Sequence, residues 1–172
     1  MRNYTLKVCF PQLTEIMELY KQLKQFGKVK LNESLVKHTT FKIGGPAAYF
    51  VIADSTEKFI ELLKFVNEQG IEFFILGGGS NMLMSDEGFD GVVIKVKNEQ
   101  IKIDDDMVVA GAGSYTAEVA QESIKANLTG FEWGVGIPGT IGGAVRGNAG
   151  SMGKEIKDSL EKVEVFRDGE VI

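Results

Sequence analysis

Apolar residues recur at helical spacing as Leu13, Ile16, Tyr20, Leu23 and Phe26, which predicts a helix that Gly27 ends. The same spacing returns in Phe59, Leu62, Leu63 and Val66. It predicts a second helix over 55–69, opened by a capping box of Asp54 with Glu57 and closed by Gly70. On either side the period changes, and the short apolar runs 49–53 and 71–76 read as strands. Strand, helix, strand in that order predicts a parallel pair with a right-handed crossover. Residues 91–96 supply a third strand. Beyond it, 100–103 and 107–110 flank Asp104, Asp105 and Asp106 and predict a hairpin with an acidic turn. A helix is expected over 114–126, with Ala117, Val119, Ala120 and Ile124 available for burial. Residues 161–166 read as a strand, followed by the turn pair Asp168 and Gly169. Only Glu170, Val171 and Ile172 follow that turn, too few for a stable returning strand. The unpaired edge leads to the expectation that the chain is part of a longer protein.

Glycine changes the picture. The chain holds 21, and they crowd into ILGGGSN at 75–81 and GFEWGVGIPGTIGGAVRGNAG at 130–150. Glycine costs backbone entropy, so its clustering points to strained angles or a group that must approach the main chain closely. Two clusters predict backbone amides cradling a phosphate-bearing ligand. Gly77, Gly78 and Gly79 allow a tight turn with successive N–H groups, and Ser80 and Asn81 add side-chain donors, which suits a pyrophosphate. The plain alternative is a glycine-rich turn. Gly134, Gly136 and Gly139 spell G-x-G-x-x-G, but Pro138 lies inside it and Gly142 and Gly143 follow at once. The dinucleotide fingerprint requires a strand before it and a helix after it, and is set aside. Residues 139–143 are expected instead as an extended loop laying backbone against a flat or charged ligand.

A third bare stretch is TTFKIGGP at 39–46, either close-approach backbone or an entry turn into the next strand. Arg146, near Asn148, sits among apolar and glycine residues. A bidentate contact to phosphate or carboxylate and a structural salt bridge both stay open for it. Gly153 and Lys154 do not make a P-loop, because Glu155 stands where Ser or Thr is needed. His38, the single histidine, is a weak metal candidate and is expected in a surface or capping role.

Composition narrows the field. A net charge of −5 and no basic patch argue against nucleic acid as the main partner. The single cysteine, Cys9, permits no internal disulfide and fits a reducing compartment. No signal-peptide pattern and no membrane-length apolar run occur, so a cytoplasmic protein away from membranes is expected.

Taken together, HTTFKIGGPA (38–47), ILGGGSNML (75–83), VAGAG (109–113) and GIPGTIGGAVRGNAG (136–150) make the chain similar to the UDP-N-acetylenolpyruvoylglucosamine reductase family. The flavin-binding region of that family shares the fold of vanillyl-alcohol oxidase. The resemblance covers nearly the whole chain and implies a two-lobed α+β FAD-binding fold. Its parts would be an N-terminal helical segment (1–33), a small parallel βαβ lobe (34–97) and a mainly antiparallel lobe with a helix (98–172), with FAD between the lobes. The implied reaction uses NADPH to reduce the flavin, which passes hydride to the enolpyruvyl double bond of a UDP-sugar. The product, UDP-N-acetylmuramate, serves peptidoglycan synthesis.

By the same resemblance Gly77, Gly78, Gly79, Ser80 and Asn81 line the FAD pyrophosphate. Gly111, Pro138, Gly139, Thr140, Gly142, Gly143, Asn148, Ala149 and Gly150 lie along the rest of the cofactor. The motifs carrying the family's proton-donating serine, its glutamate and its active-site arginine do not occur in these residues. No catalytic residue is therefore expected in this chain, and the substrate domain is expected outside it. Ser151 and Met152 depart from the family's usual alanine and aromatic. Three rival readings are a flavin oxidase of the same fold, with His38 as the only possible flavin link, a non-catalytic module without cofactor, and a Rossmann dehydrogenase.

Overall fold

The chain folds as an α+β protein; the structure is a computed structural model and describes residues 11–172, so Cys9 lies outside the described residues. Helix α1 (Pro11–Leu23) packs Leu19, Tyr20 and Leu23 onto a sheet, while Ile16, expected in the buried stripe, is 41 % exposed. Strand β1 (Lys28–Ser34) follows, where no strand was expected. Its run KVKLNES holds two apolar residues among charges, and Asn32 breaks the extension at φ 50°. Pairing with the next strand makes it, not its own propensity.

The central sheet adds β2 (Pro46–Ala53), β3 (Phe73–Leu76) and β4 (Phe89–Val96) in the order β1-β2-β4-β3. β1 runs antiparallel to β2, and β2 and β3 both run parallel to β4. The expected parallel pair of β2 and β3 is thus split, because β4 inserts between them. A register shift between Ala47 and Tyr49 turns β2 so that Ala47 and Phe50 share one face, while Tyr49 and Val51 share the other.

Helix α2 (Thr56–Glu68) buries Leu62, Leu63 and Val66 against the Tyr49 face. Its N-cap is Ser55, whose Oγ accepts from the Lys58 N–H at 3.3 Å. The expected Asp54 cap is displaced by one residue, and Asp54 instead pairs with Lys58 Nζ at 2.9 Å. Gly70, at φ 63°, ends the helix: its N–H reaches Asn67 O, and Ile71 N–H reaches Val66 O, a Schellman closure. The opposite sheet face holds Leu35, Ala47, Phe50, Leu76 and Val93, covered by Met82, Met84 and Phe89.

From residue 98 the chain makes separate small units. β5 (Ile101–Asp104) and β6 (Met107–Ala110) form the expected hairpin around Asp105 at φ 52°. Helix α3 (Thr116–Lys125) buries Val119 and Ala120, but Ile124 is 46 % exposed, against expectation. A 3-10 turn (Glu132–Gly136) and a short helix α4 (Ile141–Gly147) lead into the hairpin of β7 (Gly150–Ser151) and β8 (Lys154–Glu155). The expected strand at 161–166 reduces to β9 (Phe166–Arg167), paired with β10 (Glu170–Val171) across Asp168 and Gly169. Residues 161–165 are exposed and outside any strand, with no neighbouring strand to bond them, although Val165 exchanges two bonds with Ile172.

Candidate functional site

The parallel strands β2, β3 and β4 end on one side, and the GGGSN loop leaves β3 there, the usual location of a ligand crevice in such sheets. Each glycine of the loop is held against another segment of the chain. A Cβ on Gly77 would lie 2.5 Å from Thr140 Oγ1, and one on Gly78 would lie 2.6 Å from Gly139 Cα. A Cβ on Gly79, which sits at φ 71°, would lie 2.0 Å from His38 O. Gly79 O accepts from Thr40 N–H at 3.0 Å, so the TTFKIGG stretch is the third wall of the loop. Reciprocally, a Cβ on Gly139 would meet Ser80 Oγ at 2.6 Å. The structure therefore brings the two glycine clusters into direct contact.

The second cluster is pinned from behind. Gly139 O accepts from both Thr116 N–H (3.0 Å) and Thr116 Oγ1 (3.3 Å). Ile141 N–H donates to Ser114 O, and Gly142 N–H to Ala112 O, each at 2.9 Å. Thr140 caps α4 with its Oγ1, which accepts from Gly143 N–H at 3.5 Å. The extended loop expected at 139–143 is thus a bridge residue followed by the first turn of α4. Glycine disfavours helix, but these fixed tertiary bonds outweigh that local cost.

The remaining site residues divide. Pro138, exposed, immediately precedes the loop contact. Gly111 is spent on the protein: its N–H goes to Gln100 O, and a Cβ would lie 2.3 Å from Asn98 O. Asn148 ends α4 in the left-handed region at φ 45°. Its Nδ2 donates to Glu155 and its Oδ1 accepts from Lys157 N–H. Ala149 N–H goes to Ala144 O, and Gly150 begins β7 beside an open depression lined by Ser151, Lys154 and Glu155.

What is left over matters most. Among the described residues, the N–H groups of Gly78, Gly79, Ser80 and Asn81, with those of Gly139 and Thr140, meet no protein acceptor. Gly79 is buried, and buried amides are nearly always paired. Unspent donors in two touching loops suit an anion.

Lys95, near the end of β4, was missed from sequence. Its Nζ donates to Gly77 O, and burial pulls its pKa below the usual lysine value. The signal was there, since Lys95 interrupts the apolar run VVIKV. Arg146 is exposed and forms no ion pair among the described residues, so the salt-bridge alternative is not realised. His38 is neither a free surface group nor a cap. Its ring stacks on Phe50 at 4.2 Å, and its Nε2 lies 3.0 Å from Glu33 Oε1. Glu33 also accepts from Lys30 Nζ at 2.7 Å; that bond and the His38 contact hold the carboxyl at about 2. No group of three or more metal-ligating side chains occurs among the described residues. No described helix is long and apolar enough to cross a membrane.

A family model described as "FAD binding domain" matches residues 47–172. A UDP-N-acetylenolpyruvoylglucosamine reductase of Caldanaerobacter subterraneus subsp. tengcongensis is 41 % identical over 152 residues, 88 % of this chain and 50 % of that protein. The protein of that name from Halalkalibacterium halodurans is 39 % identical over 91 % of this chain and 53 % of its own length. Among solved structures, the UDP-N-acetylenolpyruvylglucosamine reductase of Thermus caldophilus superposes with a TM-score of 0.69 at 35 % identity, covering 84 % of this chain and 50 % of that one. The chain spans about half the length of the curated relatives it matches.

Proposed function

The chain belongs to the FAD-binding domain family, and from that premise we propose that it holds the diphosphate of FAD in the contact between its two glycine loops. The observation that carries this is the set of unspent amides at Gly78, Gly79, Ser80, Asn81, Gly139 and Thr140. A diphosphate needs several donors converging from fixed backbone, and among the described residues these donors have no other partner. A hydrogen bond to a charged acceptor is worth about 1.5–3 kcal/mol net, so even three of them would hold the nucleotide firmly. Gly142, Gly143 and the turn of Asn148, Ala149 and Gly150 would lie along the rest of the cofactor. Of these, Asn148 acts by shaping the turn, because Glu155 and Lys157 occupy its side chain. The lobes 34–97 and 98–172 would be the two sides of this cleft.

For the whole protein we propose the activity of the relatives: reduction of UDP-N-acetylglucosamine enolpyruvate to UDP-N-acetylmuramate with NADPH. FAD, when bound, supplies hydride transfer between the nicotinamide and the enolpyruvyl double bond. This chain's residues would bind and orient the nucleotide and keep water from the loop contact. The family's proton-donor motifs do not occur in these residues, so these 172 residues alone should bind flavin without turnover.

The test is the flavin itself. Protein purified from a bacterial host, then heat-denatured, should release one FAD per chain into solution. Colourless protein that gains no thermal stability from added FAD would overturn the reading. Colour retained by the denatured chain would point instead to a covalent flavin.

A further inference from the structure

We propose that Lys95 is a positioning residue for the diphosphate: by holding Gly77 O, its ammonium locks the peptide that presents the Gly78 N–H. This rests on the FAD reading above. The carbonyl of Gly77 and the amide of Gly78 belong to one planar trans peptide and point in opposite directions. Fixing the oxygen on the Lys95 side therefore aims the N–H the other way. The peptide joins two residues without Cβ atoms, so nothing else in its own backbone resists a flip. A flip would turn a carbonyl toward the anion and remove a donor.

The setting of Lys95 argues that the contact has a purpose. Strand alternation places it on the Phe50 and Val93 face, with Leu76 opposite in register on β3. Half-burying an ammonium beside apolar residues is costly, and among the described residues Lys95 forms no ion pair. The nearby carboxylate of Glu99 lies 3.8 Å from Lys97 Nζ instead. Among the described residues, Gly77 O is the one acceptor of its Nζ. A cation on the carbonyl also polarises the peptide, which strengthens the N–H on its far side as a donor.

The experiment uses the full-length protein stripped of flavin and compares Lys95→Met, Lys95→Leu and Lys95→Arg with wild type. The readouts are FAD affinity, the melting temperature of the apoprotein, and the phosphorus resonances of bound FAD. Lys95→Met keeps an apolar stem and removes the clamp. It should weaken FAD binding about ten- to a hundredfold and shift the phosphorus resonances, with the apoprotein melting as wild type. Lys95→Arg, which still donates, should bind within about threefold of wild type. If Lys95→Met does not fold, Lys95→Leu, which also carries no donor, makes the same comparison. FAD binding within about twofold of wild type in whichever of these folds overturns the proposal. So does a loss of affinity matched by a loss of apoprotein stability with unshifted resonances, since that marks a structural lysine. A wild-type protein that binds no FAD would fail the reading on which the proposal rests, and separately from it.

Discussion

Gly78→Ala tests whether the two glycine loops touch as closely as the structure has them. Gly78 is not in the left-handed region, so the added methyl introduces no φ strain and its cost is steric. That methyl would sit 2.6 Å from Gly139 Cα and 3.2 Å from Gly139 C. Carbon atoms rest at about 3.5–4.0 Å, so the loops must part by about 1 Å. Gly139 offers no side chain to swing aside, and its carbonyl is held twice by Thr116. Overpacking of this kind costs about 1–3 kcal/mol. In a chain of 172 residues about 2 kcal/mol lowers the melting temperature by about 4–8 °C.

The control is Gly143→Ala. There the nearest atom to a new Cβ is Thr140 Oγ1 at 3.6 Å, an ordinary contact, and the residue lies in α4. Relief of glycine's entropy in a helix should leave stability unchanged or raise it by about 0.5 kcal/mol. Thermal melts without flavin, with a denaturant midpoint to confirm them, give both values. A Gly78→Ala protein that melts within about 1 °C of wild type would refute the loop contact, and the site built on it.

Three further outcomes follow from named contacts. The Glu33 carboxyl has its pKa lowered from 4.5 to about 2 in the fold, first by the Lys30 bond and then by His38. A lowered folded pKa stabilises above the unfolded value, so this contribution is full above about pH 5 and is lost as pH falls toward 2; Glu33→Gln should flatten that part of the urea-midpoint profile. Ser55→Ala removes the Oγ that caps α2 and should cost about 1 kcal/mol in denaturant unfolding. Asn148→Ala must hold φ 45° without the side-chain bonds, so it should melt lower than Asn148→Gly, which loses the bonds alone, by about 1 kcal/mol.

Much of this fold was legible because periodicity and turn chemistry agreed locally. The α2 stripe, the Gly70 stop, the acidic hairpin and the turn at Asp168 and Gly169 each need only neighbouring residues. What was not legible depends on partners distant in sequence. β1 exists because Lys28 to Ser34 pair with Ile52 to Pro46. β4 divides β2 from β3, an ordering no helical or strand period encodes. The helix α4 forms from IGGAVRG only because Ser114 O and Ala112 O take its first amides. Lys95 was invisible for the same reason: its meaning lies in a carbonyl on another strand's end.

The glycines themselves separate two causes that sequence merges. A missing Cβ and an available N–H are different properties, and in this fold they serve different ends. Gly77, Gly78 and Gly139 lack a Cβ because protein backbone and Thr140 and Ser80 oxygens occupy the space. Gly111 lacks one because Asn98 does, and its amide is already spent on Gln100. A phosphate-binding role therefore rests not on the absent side chains but on the amides that packing leaves unpaired, which include those of Ser80, Asn81 and Thr140. Substituting the glycines measures packing first and ligand binding second. The distinction is experimental: packing defects lower apoprotein stability, whereas lost amides lower FAD affinity at constant stability, and only the second would mark a residue that holds the nucleotide.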